Sequence, residues 1–111
     1  MRTIIVVLAL ACSISTLSAQ GRAADEAAIR AQAVAVENAV NKRDAVALVA
    51  LSTPDGDEVN GDGPRVAGRA AMHQSQEAAF ATWSPTMRLN LAVTGIGFLG
   101  QDVAIVEAEG R

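Results

Sequence analysis

The stretch that decides the fold is Ala39–Met72, which reads AVNKRDAVALVALSTPDGDEVNGDGPRVAGRAAM. It predicts the end of one helix, a second short helix capped by Asp44, an acidic turn, a short hairpin and the start of a third helix. Pro54 ends the second helix, because the residue before a proline disfavours helical geometry. Val59 and Val66 indicate the two short strands of the hairpin. This order of elements is typical of a single α+β domain.

Helical periodicity continues on both sides of this stretch. Upstream, Asp25 predicts an N-cap, and apolar residues three or four positions apart predict a helix over about Glu26–Lys42. Downstream, the pattern predicts a helix from Arg69 to about Thr82. The apolar face of this third helix consists of Met72, Ala79, Phe80 and Trp83. The second and third helices are expected to pack against a sheet through Leu48, Leu51, Met72 and Phe80, with Ala47 completing the buried face of the second.

After the third helix the period changes from helical to alternating. Residues 87–93 alternate between apolar and mostly polar side chains, which predicts a half-buried strand, and Val103–Glu109 predicts a last strand. Between them, Gly95, Gly97 and Gly100 match the spacing of the dinucleotide fingerprint, but a strand rather than a helix is expected after the last of them. We therefore interpret them as bulge and turn glycines and expect no cofactor there.

The N-terminal segment has the organisation of a secretory signal. A positive charge at Arg2 precedes the apolar run Ile4–Ala11, and small residues follow up to Ala19. We expect cleavage after Ala19, with cleavage after Ala23 as the alternative, and hence a secreted protein, periplasmic or extracellular. Polar residues interrupt the run too early for a membrane-spanning helix, so no membrane association is expected once the signal is removed.

The composition of the rest of the chain excludes several chemistries. The single cysteine among 111 residues, Cys12, lies within the signal segment, so a mature chain from Gln20 has no disulfide or thiolate site. That mature chain carries eight basic and twelve acidic residues, a formal charge of −4, without a basic patch. Nucleic-acid binding depends on clustered lysine and arginine and is not expected. A domain this small and alanine-rich buries a low fraction of its surface. Dimerisation would increase that fraction, so we expect a homodimer.

The acidic turn over residues 55–69 resembles a calcium-binding loop only superficially. In the register that starts at Glu58, position twelve is Arg69, where a calcium loop requires a bidentate glutamate. The register that starts at Asp55 places Val59 at position five, where an oxygen ligand is needed. The sequence therefore predicts a solvated acidic turn and no metal site, with a weak surface cation site as the alternative.

The candidate residues for a ligand pocket are Asn60, His73, Trp83 and Glu107. His73 is the only histidine, and no nucleophile and carboxylate stand near it in the sequence to complete a triad. It is interpreted as a half-exposed helical residue, with a pocket or general-base role as the alternative. Because the chain has no tyrosine, it lacks the tyrosine of the ketosteroid isomerase oxyanion hole. No catalytic residue is assigned from the sequence.

Several short motifs occur in an order known from one protein family. They are Asn41 with Asp44, Ala47 and Leu51; Asp57 with Val59 and Asn60; Gly68-Arg69 with Met72; and Phe98-Leu99-Gly100 with Asp102-Val103-Ala104. Through these motifs, residues 24–110 resemble the SnoaL-like group of the nuclear-transport-factor-two-like superfamily. The similarity is greatest to its secreted subgroup of SgcJ/EcaC-type oxidoreductases.

The resemblance implies a domain over residues 24–111 with a cystatin-like cone, in which three helices pack on a curved antiparallel sheet around an apolar pocket. It implies binding of a small, mostly apolar ligand, either alone or with acid–base catalysis in the pocket. The family continues with one or two further strands, so we expect the domain to be incomplete after Arg111. A non-catalytic, homodimeric association module is the alternative function.

Overall fold

The computed structural model describes the backbone of residues 2–59 and 63–111 and the side chains of residues 21–59 and 63–111. The predicted signal segment, residues 1–19, lies outside the described side chains, and Asn60 lies outside the described residues altogether. In the described part of the chain, no helix is both long enough and apolar enough to cross a membrane. The chain divides into two compact units, residues 1–31 and residues 32–111.

The first unit contains the N-terminal part of α1, the helix Arg2–Asn41. The prediction that Asp25 caps the start of a helix is wrong, because α1 already includes this residue. The segment from Gly21 to Ala28 is rich in alanine, the residue with the highest helix propensity, so the helix continues through the predicted start. The predicted C-terminal end at Lys42 differs from the observed one by a single residue.

The second unit begins with the last turns of α1, which end in a Schellman motif. Arg43 adopts a left-handed conformation with a φ of 56°. Its N–H donates to the Val40 carbonyl at 3.0 Å, and the Asp44 N–H donates to the Ala39 carbonyl at 2.9 Å. These two bonds satisfy carbonyls that the end of the helix would otherwise leave unpaired.

Asp44 is the N-cap of α2, the helix Ala45–Ala50, as predicted, and its Oδ1 accepts a hydrogen bond from the Ala47 N–H at 3.0 Å. The predicted buried face of α2 is wrong, because Ala47 is exposed and the buried residues are Ala45 and Val49. The cap makes Ala45 the first helical residue, and residues four positions apart lie on the same helix face. Ala45 and Val49 therefore turn inward together.

The predicted short hairpin follows α2. β1 (Asp57–Glu58) pairs antiparallel with β2 (Val66–Ala67). Val59 lies beyond β1 and is 69% exposed. α3 spans Arg69–Thr82, the range that the sequence predicts, and its N-cap is Gly68 with a φ of 87°. Glycine adopts such a positive φ without the steric cost that a side chain would add.

The C-terminal part of the second unit is an antiparallel hairpin of β3 (Leu91–Leu99) and β4 (Val103–Gly110). β4 agrees with the predicted last strand. The predicted start of β3 at Met87 is wrong, because the Met87 N–H donates to the Ser84 carbonyl at 3.0 Å and so closes a turn. Strand pairing therefore begins only after this turn.

The glycine-rich segment lies within this hairpin. Gly95 and Gly97 belong to β3, and the register shifts between Val93 and Gly95, as expected of a bulge. Gly100, with a φ of 76°, lies in the turn before β4. Because a strand follows Gly100, the segment lacks the helix N-terminus that would face a pyrophosphate in a dinucleotide site.

The core of the second unit is small and built mainly by the helices. Among the described residues, the buried apolar side chains are Ala39, Val40, Ala45, Val49 and Met72. The sequence predicts burial for Leu48, Leu51 and Phe80 as well, but these three are only half-buried. α3 packs on α2 and on the β1–β2 hairpin. Helices with two-stranded antiparallel sheets confirm the predicted α+β class.

Candidate functional site

A groove of ≈ 790 Å³ lies in the second unit between the last turns of α1, α2, α3 and β1. Small-molecule sites typically enclose about 300–1,000 Å³. The apolar lining residues are Val36, Val40, Leu48, Val49, Leu51, Met72, Ala79 and Trp83. The polar lining residues are Gln32, Ser52, Asp57, Glu58, Ser75 and Gln76. The lining therefore combines eight apolar residues, which can bury a ligand, with six polar residues, which can orient it.

Helical spacing brings the lining side chains to the groove. On α1 they recur every four residues from Gln32 to Val40. On α3, Met72, Gln76 and Ala79 recur at intervals of four and three residues, and the C-cap Trp83 follows four residues later. Residues at these intervals share one helix face. Three of the apolar lining residues are buried and the others are half-buried, so apolar surface remains accessible to a ligand.

Glu58 and Gln76 form a polar contact between β1 and α3. Gln76 Nε2 donates to Oε1 and to Oε2 of Glu58, at 3.0 Å in each case. Both side chains are half-buried. An amide carries no net charge, so this contact orients the carboxylate without compensating its negative charge. No described basic side chain forms an ion pair with Glu58.

Asp57, the second acidic residue of the groove, is ion-paired with Arg65. The side chains are 37% and 70% exposed, respectively, so water and salt screen the pair and its contribution to stability is small. The pair still distinguishes the two acidic residues of the groove, because Asp57 has a guanidinium partner and Glu58 has no ion-pair partner among the described residues. Within residues 21–59 and 63–111, no group of three or more histidine, cysteine, aspartate or glutamate residues is placed to hold a metal ion.

Trp83 lines the groove where α3 ends. It is the C-cap residue of α3 and packs edge-to-face on Phe80, with ring centroids 5.3 Å apart and an interplanar angle of 72°. Arg43 covers the Trp83 ring, with its Cζ 5.2 Å from the ring centroid. The Arg43 guanidinium also donates hydrogen bonds to the carbonyls of Val40, Ser84 and Met87. These contacts hold the indole in place and put a positive charge beside it.

The residues predicted from the sequence as a pocket do not gather at one site in the described part of the chain. Trp83 lines the groove. His73 is a half-buried residue of α3, as the sequence predicts, and its Nε2 lies 3.5 Å from Glu77 Oε1. Glu107 is exposed on β4. Neither His73 nor Glu107 belongs to the groove lining, and Asn60 lies outside the described residues.

The sequence does not predict the contact between Glu58 and Gln76 or the position of Arg43 beside Trp83. One signal for the pair is present, because Gln76 interrupts the apolar face of the third helix. A polar side chain that becomes buried on such a face requires a hydrogen-bond partner. The identity of that partner depends on how the β1–β2 hairpin packs on α3. Arg43 has no comparable signal, because arginine is not a residue type favoured in left-handed conformation.

Comparison with known proteins assigns no family to the chain. No protein-family model matches it, and a search of curated proteins finds no significant match. The function is therefore inferred from the chemistry of the groove.

Proposed function

We propose that the second unit is a binding domain whose groove takes a small, mostly apolar molecule. The observation that carries this proposal is the groove itself, in which eight apolar residues of α1, α2, α3 and the C-caps of α2 and α3 line ≈ 790 Å³. A ligand in this groove would remove half-buried apolar side chains from water, which favours binding by about 25 cal/mol per Å² of apolar surface. The loss of ligand freedom offsets part of this gain, so moderate affinity is expected.

The proposal includes the family and the compartment that the sequence suggests. Residues 24–111 would form a secreted SnoaL-like domain with a cystatin-like cone, in which the helices pack on a curved antiparallel sheet. Two observations support this part. The observed order of helix, short helix, short hairpin, helix and strands is the order expected from the resemblance. The bulge between Val93 and Gly95 would bend β3, as curvature of a sheet requires.

Binding alone is sufficient for this function, and catalysis would be an addition to it. Acid–base chemistry on a bound ligand would depend on Glu58, because Gln76 holds its carboxylate in the groove and no described basic side chain is ion-paired with it. Asp57 is less suited to this role, since Arg65 occupies it. The general requirement is that the acid–base group lies within hydrogen-bond reach of the ligand.

Trp83 fluorescence gives a direct test. Trp83 is the only tryptophan, and the chain has no tyrosine, so emission from this residue reports on the groove alone. Titration with 1-octanol, an uncharged, mostly apolar and optically transparent probe, is expected to change this emission in a saturable manner. Absence of a saturable change would contradict the proposal.

A pair of neighbouring alanines provides the matched control. Ala79 lines the groove and Ala78 is exposed on α3 outside it. Ala79→Phe fills the groove and is expected to weaken 1-octanol binding, whereas Ala78→Phe adds the same ring and is expected to leave it as it is. Equal effects of the two substitutions would show that the probe binds elsewhere.

A homodimeric association module is the second candidate, and the surface of the β3–β4 hairpin favours it. Leu99 pairs with Val103 across the hairpin, and Ile105 lies two residues farther along β4 on the same face. These three side chains are 53–59% exposed. Gly97 lies opposite Ile105 and contributes no side chain to cover it. An apolar surface of this kind is suited to a second copy of the chain.

A further inference from the structure

We propose that the ligand of the groove is a small organic cation, an ammonium group attached to an apolar chain, and that Glu58 receives the ammonium. This inference rests on the proposed function, because it specifies the chemistry of the molecule that occupies the same groove. It is carried by the charges of the lining residues, by the geometry of Glu58 and by the position of Arg43.

The charged residues that line the groove are all acidic. Asp57 and Glu58 are the two charged residues among those that line it, and no lysine, arginine or histidine of the described chain does so. Arg65 compensates Asp57, whereas the partner of Glu58 among the described residues is the neutral amide of Gln76. A half-buried carboxylate without a counter-charge favours a cationic ligand, because Coulomb attraction is stronger there than in bulk water.

The Glu58 carboxylate keeps hydrogen-bonding capacity for a ligand. Gln76 Nε2 lies 3.0 Å from both carboxylate oxygens, so the two oxygens share one N–H donor. A carboxylate has about four acceptor sites, so both oxygens can accept a further bond. Since Gln76 fixes the orientation of the carboxylate in advance, a ligand would not have to order it on binding. Bonds from an ammonium to such a carboxylate are charge-assisted and stronger than neutral ones.

Arg43 determines the direction in which such a ligand would lie. Trp83, the C-cap of α3, comes seven positions after Gln76, which corresponds to about 10 Å along a helix axis. The guanidinium of Arg43 lies over Trp83, so a second cation is disfavoured at this end. The ammonium would therefore bind at Glu58 and the apolar chain would extend towards Trp83. An extended eight-carbon chain spans a similar distance.

Three probes with the same number of carbon atoms separate charge from apolar burial. Octylammonium, 1-octanol and octanoate are titrated at neutral pH into the full chain, with Trp83 fluorescence as the readout. Octylammonium is expected to bind about tenfold more tightly than 1-octanol, the effect of one charge-assisted hydrogen bond. Octanoate is expected to bind more weakly than 1-octanol, because Glu58 repels it.

Two substitutions that remove the same charge provide the control. Glu58→Gln keeps the shape of the side chain and is expected to abolish the preference for octylammonium over 1-octanol. Glu77→Gln changes an exposed residue of α3 outside the groove and is expected to retain the preference. The three-probe comparison on the unsubstituted chain stands even where Glu58→Gln fails to fold.

The outcomes distinguish this inference from the proposed function. Binding of 1-octanol with no preference for octylammonium would overturn the inference and leave the proposed function standing. Binding of none of the probes would overturn both. A preference that Glu77→Gln removes as much as Glu58→Gln would show that net charge, and not the groove, attracts the cation. A preference lost only in Glu58→Gln supports the inference.

Discussion

The Asn41 side chain forms two hydrogen bonds with the backbone of Leu89, as the backbone of a residue in a neighbouring strand would. Asn41 Nδ2 donates to the Leu89 carbonyl at 2.9 Å, and the Leu89 N–H donates to Asn41 Oδ1 at 2.7 Å. One turn earlier on α1, Glu37 Oε2 accepts from the Leu91 N–H at 2.7 Å. Two side chains at the end of α1 therefore satisfy backbone groups at the start of β3 and position the strand.

Asn41→Ala is expected to destabilise the fold by about 1–3 kcal/mol, because it leaves two part-buried backbone groups of Leu89 without partners. Urea unfolding measures the change in midpoint. Asn38→Ala is the control, since Asn38 is exposed and one turn away on the same helix. Alanine has the higher helix propensity, so the control is expected to be neutral or slightly stabilising. Equal losses for both substitutions would contradict the role of Asn41.

Substitutions at Arg43 can separate the effect of its backbone conformation on stability from the effect of its side-chain contacts. Its φ of 56° costs about 1–2 kcal/mol for a residue with a β-carbon, and glycine avoids most of this cost. Arg43→Gly and Arg43→Ala both lose the side-chain contacts, but the glycine variant is expected to be the more stable of the two by about 1 kcal/mol.

Lys42 gives the control for Arg43, because Arg43 is the one described non-glycine residue with a positive φ. At Lys42 the order is therefore expected to reverse, with the alanine variant at least as stable as the glycine variant. The melting temperatures of the four variants, measured by thermal unfolding, test these two expected orders of stability. The same order at both positions would show that the left-handed conformation of Arg43 does not contribute.

Met72→Ala is expected to be strongly destabilising. Met72 is 7% exposed and is the buried residue of α3, so its truncation leaves a cavity in a small core at a cost of about 2–5 kcal/mol. Met87→Ala makes the same chemical change at a side chain that is 39% exposed and is expected to cost much less. A comparison of urea midpoints tests this, and a similar loss in both variants would place the core elsewhere.

Ile105→Lys tests the association candidate. A charge on the exposed apolar face of β4 is expected to raise the monomer fraction in sedimentation equilibrium, provided that the dimer forms through this face. Val46→Lys is the control, because Val46 is 67% exposed but lies on α2. A dimer that resists Ile105→Lys, or a chain that is monomeric before substitution, would reject the hairpin as the interface.

The sequence by itself determines the features that depend on neighbouring residues. The Asp44 cap, the bounds of α3 and the strand β4 follow from side-chain chemistry and periodicity within a few positions, and all agree with the structure. The wrong predictions arise where one local signal is overridden by another. An alanine-rich segment extends α1 through Asp25. Met87 closes a hydrogen-bonded turn, so β3 begins after it.

Only the tertiary structure decides the groove and its polar contacts. Glu58 meets Gln76 across 18 positions of sequence, and Asn41 meets Leu89 across 48. Arg43 also covers the ring of Trp83, a residue far from it in the sequence. The physical reason is that a side-chain hydrogen bond requires its two partners within about 3 Å, a condition that the packing of whole elements sets. Residue types along the chain indicate which groups need partners, but the packing alone determines which partners they find.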